Sequence, residues 1–291
     1  MAGDVVTVRA PAKINLYLHV TGKRPDGFHE LDSLVVFTAS GDTVRISPAM
    51  AGNGMQFTAD GPFANMIGPK QDNLVVRAAQ LMVDSCRPAT QGIDIHLTKR
   101  LPVAAGIGGG SSDAAATLRA LNRYWDAGFD DDRLAALGLK LGADVPMCLA
   151  REPIFVSGIG EKIQPAPSLP LFSLLLVNPG VAVPTPKVFE AFHGKFSPPA
   201  AFSDEPADVD ALAALLSARR NDLSDAALSI APAIGDVLQT LGNQPGCLIS
   251  RMSGSGATCF GLFGDAGEAE EGRHAIHLAH PDWWCDAMML F

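Results

Sequence analysis

Three short stretches of this chain carry residues whose types and spacing suit work on a phosphate group. From Leu101 to Ala116 the sequence reads Leu-Pro-Val-Ala-Ala-Gly-Ile-Gly-Gly-Gly-Ser-Ser-Asp-Ala-Ala-Ala. Gly106, Gly108, Gly109 and Gly110 give a backbone that turns tightly and comes close to a ligand, since no Cβ stands in the way. A helix opened by Ser or Asp straight afterwards aims its free N–H groups and the positive end of its dipole back at the loop, an arrangement that binds anions. Ser111 and Ser112 follow Gly110 directly, so the loop lacks a Walker lysine, and no dinucleotide fingerprint follows it. Backbone amides would therefore hold the phosphates. Taken alone, the same stretch also reads as a Gly-rich turn before a capped helix.

The second stretch, Ser253-Gly254-Ser255-Gly256-Ala257, lies between two β-patterned runs and by itself reads equally as a flexible hairpin tip. The third element is a cation and a carboxylate far apart in sequence, Lys13 and Asp144. Phosphoryl transfer asks little covalent chemistry of a protein. It must hold the phosphates, neutralise developing charge and orient an acceptor hydroxyl. Amides, a lysine or metal, and a carboxylate can fill those roles, and the chain offers one candidate for each.

Periodicity supplies the elements that must position these residues. Val5–Val8 reads as a strand broken at Ala10-Pro11. Ile14, Leu16, Leu18 and Val20 then alternate with polar residues, which puts Lys13 and Asn15 on the polar face of a second strand. Pro25-Asp26-Gly27 marks a turn, followed by a β pattern over 31–37, a turn at Gly41-Asp42 and a strand over 43–47. Residues 48–72 read mostly as loop, with a β-like piece near 55–58. Asp72 is the expected cap of a helix from Asn73 to about Asp84, and 93–97 alternate as a strand leading into the Gly loop.

After that loop the spacing predicts helices to about Gly128 and over 130–141, with Asp130-Asp131-Asp132 as a capping region. Pro146 is expected to keep Val145 out of the α region, which leaves Asp144 in a constrained connection. A hairpin over 154–163 precedes the Pro-rich stretch 165–168, where the domain boundary is placed, giving domains 1–165 and 166–291. Beyond it come a fully buried strand over 172–177 and a helix with Thr185 at its N-cap and Pro186 at its first position. Helices over 208–218 and 223–241, strands over 247–252 and 258–263, a helix near 268–278 and a last strand near 286–290 complete the pattern. His19, Trp125, Trp283 and Trp284 are read as structural.

Composition excludes several classes of function. Hydrophobic residues make up 47% of the 291 and charged residues 18%, a globular rather than disordered balance. A net charge of −9 argues against nucleic acid and anionic membrane surfaces as partners. The cysteines, odd in number and without a Cys-x-x-Cys pair, indicate free thiols in a reducing compartment. With neither a secretory signal nor a run long enough to span a bilayer, the expected location is the cytoplasm.

Pro11-Ala12-Lys13-Ile14-Asn15-Leu16, the stretch from Leu101 to Ser112, and Ser253-Gly-Ser-Gly-Ala-Thr258 resemble, in order, the three motifs of the GHMP kinases (galactose, homoserine, mevalonate and phosphomevalonate kinases). The segments Arg-Pro-Asp-Gly-Phe-His-Glu-Leu (24–31), Gly-Ala-Asp-Val-Pro (142–146) and Pro-Thr-Pro (184–186) are most similar to members whose acceptor is 4-diphosphocytidyl-2-C-methyl-D-erythritol. The resemblance covers nearly the whole chain.

It implies an α+β, two-domain GHMP kinase fold with the active site in the interdomain cleft. It also implies transfer of the ATP γ-phosphoryl to the 2-hydroxyl of that substrate, in the non-mevalonate route to isoprenoid precursors. Asp144 matches the family's catalytic aspartate and Lys13 the lysine paired with it. Pro102, Val103, Ala104, Ala105, Gly106, Ile107, Gly108, Gly109, Gly110, Ser111 and Ser112 match the ATP loop; Gly254, Ser255, Gly256 and Ala257 match the third motif. Asn15, Phe28, His29, Thr185 and Phe189 match substrate-side positions, with His29 at the cytosine. ATP is expected with Mg²⁺, held largely by phosphates, water and Ser112. The implied protein is a monomer or weak homodimer working on a small molecule.

Two departures stand out. Phe28 replaces the usual tyrosine, keeping the ring and losing its hydroxyl, and Ala104-Ala105 replaces a glycine pair. The rival readings are another GHMP kinase activity, against which the Asp-Gly-Phe-His segment speaks, and a binding protein that lost catalysis, against which Lys13 and Asp144 speak.

Overall fold

The computed structural model describes residues 5–49, 54–88, 92–150 and 152–290, so 50–53 of the expected 48–72 loop fall outside it. The chain forms two compact units that interleave along the sequence. One comprises Met1–Ala12, Ser40–Val103 and Gly108–Ala150; the other comprises Lys13–Ala39, Ala104–Ile107 and Arg151–Phe291. The Pro-rich stretch at 165–168 suggested a single cut instead.

Two long strands, β1 (Val6–Lys23) and β2 (His29–Pro48), pair with each other and contribute residues to both units. Each was expected as two shorter strands. β1 passes straight through Pro11: among the named strands β1 pairs with β2, its further bridge lying at Leu18, and a strand without a second partner at Pro11 can spare a ladder N–H. β2 passes through Gly41-Asp42 without turning. A Cβ on Gly41 would fall on the Ala10 carbonyl oxygen and lie 2.8 Å from the Pro11 Cα. The glycine thus serves the close approach of β1, and no turn is needed.

In the first unit, β3 (Met55–Asp60) runs parallel to β4 (Ile93–Thr98), and β4 pairs antiparallel with the end of β2, Thr43 opposite Thr98. Ile46, Ile93, Ile95 and Leu97 turn inward with α1 (Leu74–Cys86), which packs along α2 (Gly109–Tyr124). Asn73 caps α1 in place of the expected Asp72, its Oδ1 accepting the Val75 N–H at 2.9 Å. α3 (Asp131–Leu139) is capped by Asp130, as the acidic run suggested. A short α4 (Val145–Cys148) follows, with Asp144 at its N-cap position. Val145 is therefore helical despite Pro146. A proline in the first turn costs no hydrogen bond, because that N–H has no helical partner in any case.

In the second unit, β2 pairs through Leu31–Val35 with β5 (Ile154–Gly158), which forms the expected hairpin with β6 (Lys162–Pro165). A second, antiparallel sheet has the order β10-β7-β9-β8, from β7 (Ser173–Asn178), β8 (Cys247–Met252), β9 (Cys259–Phe263) and β10 (Trp284–Met289). β7 is buried at every position, as its apolar run required. Helices α5 (Thr185–Ala191), α6 (Val209–Ser217), α7 (Ser224–Ile230), α8 (Ala233–Gly242) and α9 (Ala266–Ala279) complete the unit. One core joins Leu175, Val177 and Phe263 of the sheet to Val188, Ala227, Val237 and Ile276 of four helices.

The single helix expected over 223–241 divides at Ala231-Pro232, where the proline ring and missing N–H end α7 and start α8. Gly41→Ala should lower stability by about 1–3 kcal/mol or more, since the added methyl meets backbone that cannot move aside as a side chain could. Urea-unfolding midpoints check this; an unchanged midpoint would show that β1 and β2 do not need the close approach.

Candidate active site

The second unit brings four of the singled-out segments together. Lys13 is buried in β1, and its N–H donates to the Ile107 carbonyl at 2.9 Å. Two residues on, the Asn15 N–H donates to Ser253 Oγ at 3.1 Å, and Ser253 Oγ donates to the Gly106 carbonyl at 3.3 Å. Thr258 N–H donates to the Ala105 carbonyl at 3.1 Å. Residues 104–107 of the first glycine loop are thus laced onto both the Lys13 strand and the 253–258 loop.

Gly106 explains why only glycine serves there. Its φ is +75°, and a Cβ would lie 2.6 Å from the Ser253 oxygen and 2.7 Å from the Gly256 oxygen. Side-chain amides and hydroxyls then fix the 253–258 loop from behind. Asn221 Nδ2 donates to the Met252 and Gly254 carbonyls, both at 2.8 Å, and Asn178 Nδ2 donates to Thr258 Oγ1 at 2.9 Å. A flexible hairpin tip would carry no such set of buried bonds.

Thr185 does not cap α5. Pro184 takes that position, and Thr185 Oγ1 instead shares a 2.8 Å hydrogen bond with Ser255 Oγ of the loop. Asn15 is buried, its Nδ2 donating to Ser33 Oγ at 2.7 Å while its Oδ1 has no hydrogen-bond partner. An acceptor of this kind, buried and unused, suits a ligand donor.

At the start of β2, the His29 ring stacks on Phe189 with centroids 5.2 Å apart and meets Phe192 edge-on at 5.8 Å. Burial, helped by the Lys23 charge, holds the His29 imidazole below its ordinary range, which favours the neutral ring. Phe28 is 59% exposed at the end of the turn that Arg24 and Asp26 close. His19 is satisfied within the protein, Nδ1 lying 3.0 Å from the Pro198 carbonyl and Nε2 accepting the Arg220 N–H.

The first unit holds the rest. Pro102 and Val103 lead out of β4, and Gly108 through Ser112 form the beginning of α2. The helix cap is Gly108, at φ +63°, with no side-chain cap bond, so the expected Ser or Asp cap is absent. Gly108 has no side chain with which to cap the first-turn N–H groups, and Ser112 Oγ is buried without a partner. Asp144 is half-buried. Its segment is fixed by the Val145 N–H on the Gly142 carbonyl at 3.1 Å and by Arg119, whose guanidinium donates to the Leu149 carbonyl.

One feature of the first unit escapes sequence inspection. Lys99 Nζ lies 2.5 Å from Asp42 Oδ2 and 2.7 Å from Asp113 Oδ2, and all three side chains are buried. Asp42 Oδ1 also accepts the N–H groups of Arg100 at 2.5 Å and Leu101 at 2.9 Å. The signal available beforehand was faint: charged residues one step beyond two apolar strands, and an Asp within the first turns of a helix. Only the pairing of Thr43 with Thr98 puts Asp42 opposite Lys99. Among the described residues, no group of three His, Cys, Asp or Glu is placed to hold a metal, and no helix is long and apolar enough to cross a membrane.

Within the second unit the glycine loops are laced to a buried lysine strand, and the comparisons with known proteins give the class of the chain. Residues 73–152 match the GHMP kinases N terminal domain and residues 205–281 the GHMP kinases C terminal domain. The chain is 48% identical over 288 residues to 4-diphosphocytidyl-2-C-methyl-D-erythritol kinase of Rhodospirillum rubrum, covering 98% of this chain and 93% of that one. It is 50% identical over 278 residues to the enzyme of that name in Cereibacter sphaeroides, covering 94% and 95%. The crystal structure of a 4-(cytidine 5'-diphospho)-2C-methyl-D-erythritol kinase superposes with a TM-score of 0.77 at 34% identity, covering 98% of each chain. A homoserine kinase from Cytophaga hutchinsonii, at 18% identity and a TM-score of 0.73, shares the fold. The chain belongs to the GHMP kinase family.

Three buried groups, two acids and one base, cannot all be charged and sum to zero. Burial pushes the Asp113 carboxyl up to about 7; Lys99 opposes the rise and Asp42 adds to it. Burial alone would lower the Lys99 ammonium, but the two carboxylates hold it above its ordinary range. The folded chain therefore keeps a proton on Asp113 between about pH 4 and about pH 7 that the unfolded chain has lost, and this contribution to stability falls as pH rises through that window. Asp113→Asn removes the proton exchange. Relative to the parent, the variant should gain stability from pH 5 to pH 8, read as the difference in urea midpoints; a pH-independent difference would refute the assignment.

Proposed function

We propose that this enzyme transfers the γ-phosphoryl group of ATP to the 2-hydroxyl of 4-diphosphocytidyl-2-C-methyl-D-erythritol, in the non-mevalonate route to isoprenoid precursors. The observation that carries this reading is the 48% identity to the Rhodospirillum rubrum kinase of that name over nearly the full length of both chains. The stack of His29 on Phe189 supports it, since a flat, partly exposed platform of neutral rings suits a cytosine base.

In this reading the chain's residues divide the work as follows. The amides of residues 102–112 and the N-terminus of α2 receive the triphosphate. Asp144 accepts the proton of the acceptor hydroxyl as its oxygen bonds to the γ-phosphorus and the bond to the β-phosphate oxygen breaks, releasing ADP. Lys13 polarises the hydroxyl. Asn15 and Thr185 bind the acceptor, and the 253–258 loop completes the site. Mg²⁺ would screen the phosphate charges when bound with the nucleotide, and Ser112 Oγ, buried and unpartnered, fits the role of its protein ligand. The reading places the enzyme in the cytoplasm.

Turnover of ATP, coupled to ADP detection, should be supported by the cytidine substrate and not by homoserine or mevalonate. Asp144→Asn should cut kcat roughly 10²–10⁴-fold while ATP binding stays measurable by calorimetry. Full turnover in that variant would sink the mechanism, and turnover with homoserine or mevalonate would redirect the substrate assignment.

A further inference from the structure

The loop from Pro102 to Gly108 has no lysine of its own, so its grip on a triphosphate depends on where its amides point. Both of its ends are tied to one buried cluster. At the entry, Asp42 Oδ1 takes the N–H groups of Arg100 and Leu101. At the exit, Lys99 Nζ reaches from Asp42 Oδ2 to Asp113 Oδ2 on α2, and it also lies against Gly109, where a Cβ would stand 3.2 Å from Nζ. Thr117 Oγ1 donates to the Asp113 carbonyl one turn further on, at 2.7 Å.

Stability alone is a weak reason for such a cluster. Buried charged groups replaced by apolar ones of similar volume often leave a protein as stable or more so. What the charges add is geometry, because one ammonium must satisfy two carboxylates at fixed positions. We propose that Lys99, Asp42 and Asp113 are positioning residues for the phosphoryl donor: they hold the entry of the phosphate loop against the first turn of α2 and so set the affinity for ATP. This rests on the reading of residues 102–112 as the triphosphate site. None of the three needs to touch the nucleotide.

The test uses the full-length protein with Lys99→Met, Asp113→Asn and the double variant Lys99→Met/Asp113→Leu, which removes the ammonium together with one of its two acid partners. Thermal melting reports folding, calorimetry with ATP reports binding, and steady-state kinetics separate KM for ATP from KM for the cytidine substrate. The expected result is a folded double variant whose ATP dissociation constant and KM for ATP rise at least about tenfold, with KM for the acceptor within about twofold of the parent. Asp113→Asn should give a smaller rise of the same kind. A folded double variant with parental ATP affinity overturns the proposal. If the double variant fails to fold, Asp113→Asn decides, and unchanged ATP affinity in it overturns the proposal equally. A parent that does not bind ATP would bring down the phosphate-loop reading and this proposal with it, whereas a binding parent with unaffected variants brings down the positioning role alone.

Discussion

A loop that binds phosphate through its own amides can be no more selective than its backbone is fixed. Side-chain cations adapt to a ligand by rotating; amides cannot. In this chain the fixing is done by buried side chains that bond to backbone from outside the loops. Asp42 takes two N–H groups before the first glycine loop, Ser253 takes one from β1 and gives one to Gly106, and Asn221 gives two to the 253–258 loop. Each of these groups would be costly to leave unpaired in the interior, so each bond is enforced by the penalty for losing it.

The same constraint accounts for the glycines. Gly106 has the φ and the crowding that exclude a side chain, because the oxygens of residues 253 and 256 occupy the space. Glycine content at this site thus reflects backbone packed on backbone, with flexibility as its opposite. The second unit supplies that packing from residues 104–107 and 253–258 together, which is why the two loops, distant in sequence, carry one local structure.

What could be read from sequence follows the range of the interactions involved. The glycine turns and the acidic cap before α3 are encoded within a few residues, and they were legible; the alternation around Asn15 suggested a strand with one polar face, whereas residues 12–20 of β1 are buried on both faces. Gly41-Asp42 was not. Locally it has the composition of a turn, and only the passage of β1 beside it and the reach of Lys99 toward it give those residues their roles. Thr185 behaved likewise. Thr-Pro is a good helix opening, but Pro184 already supplied the cap position, and the hydroxyl was drawn to Ser255, seventy residues away. The split at Pro232 was a local signal, outvoted by an apolar period running through it.

The charge state of the buried cluster bears on the loop it holds. Asp113 is the fifth residue of α2, close to the end at which the unpaired N–H groups and the positive pole of the dipole would receive an anion. Were Asp113 and Asp42 both ionised against one ammonium, a net negative charge would lie buried beneath that pole and oppose the phosphates. A proton retained on Asp113 up to about pH 7 cancels it. Desolvation, which makes the cluster expensive to charge, would therefore also keep it from competing with the phosphates of the proposed function. The cluster can be ionic enough to fix its neighbours and neutral enough in sum not to repel the triphosphate that the proposed function brings to the loop.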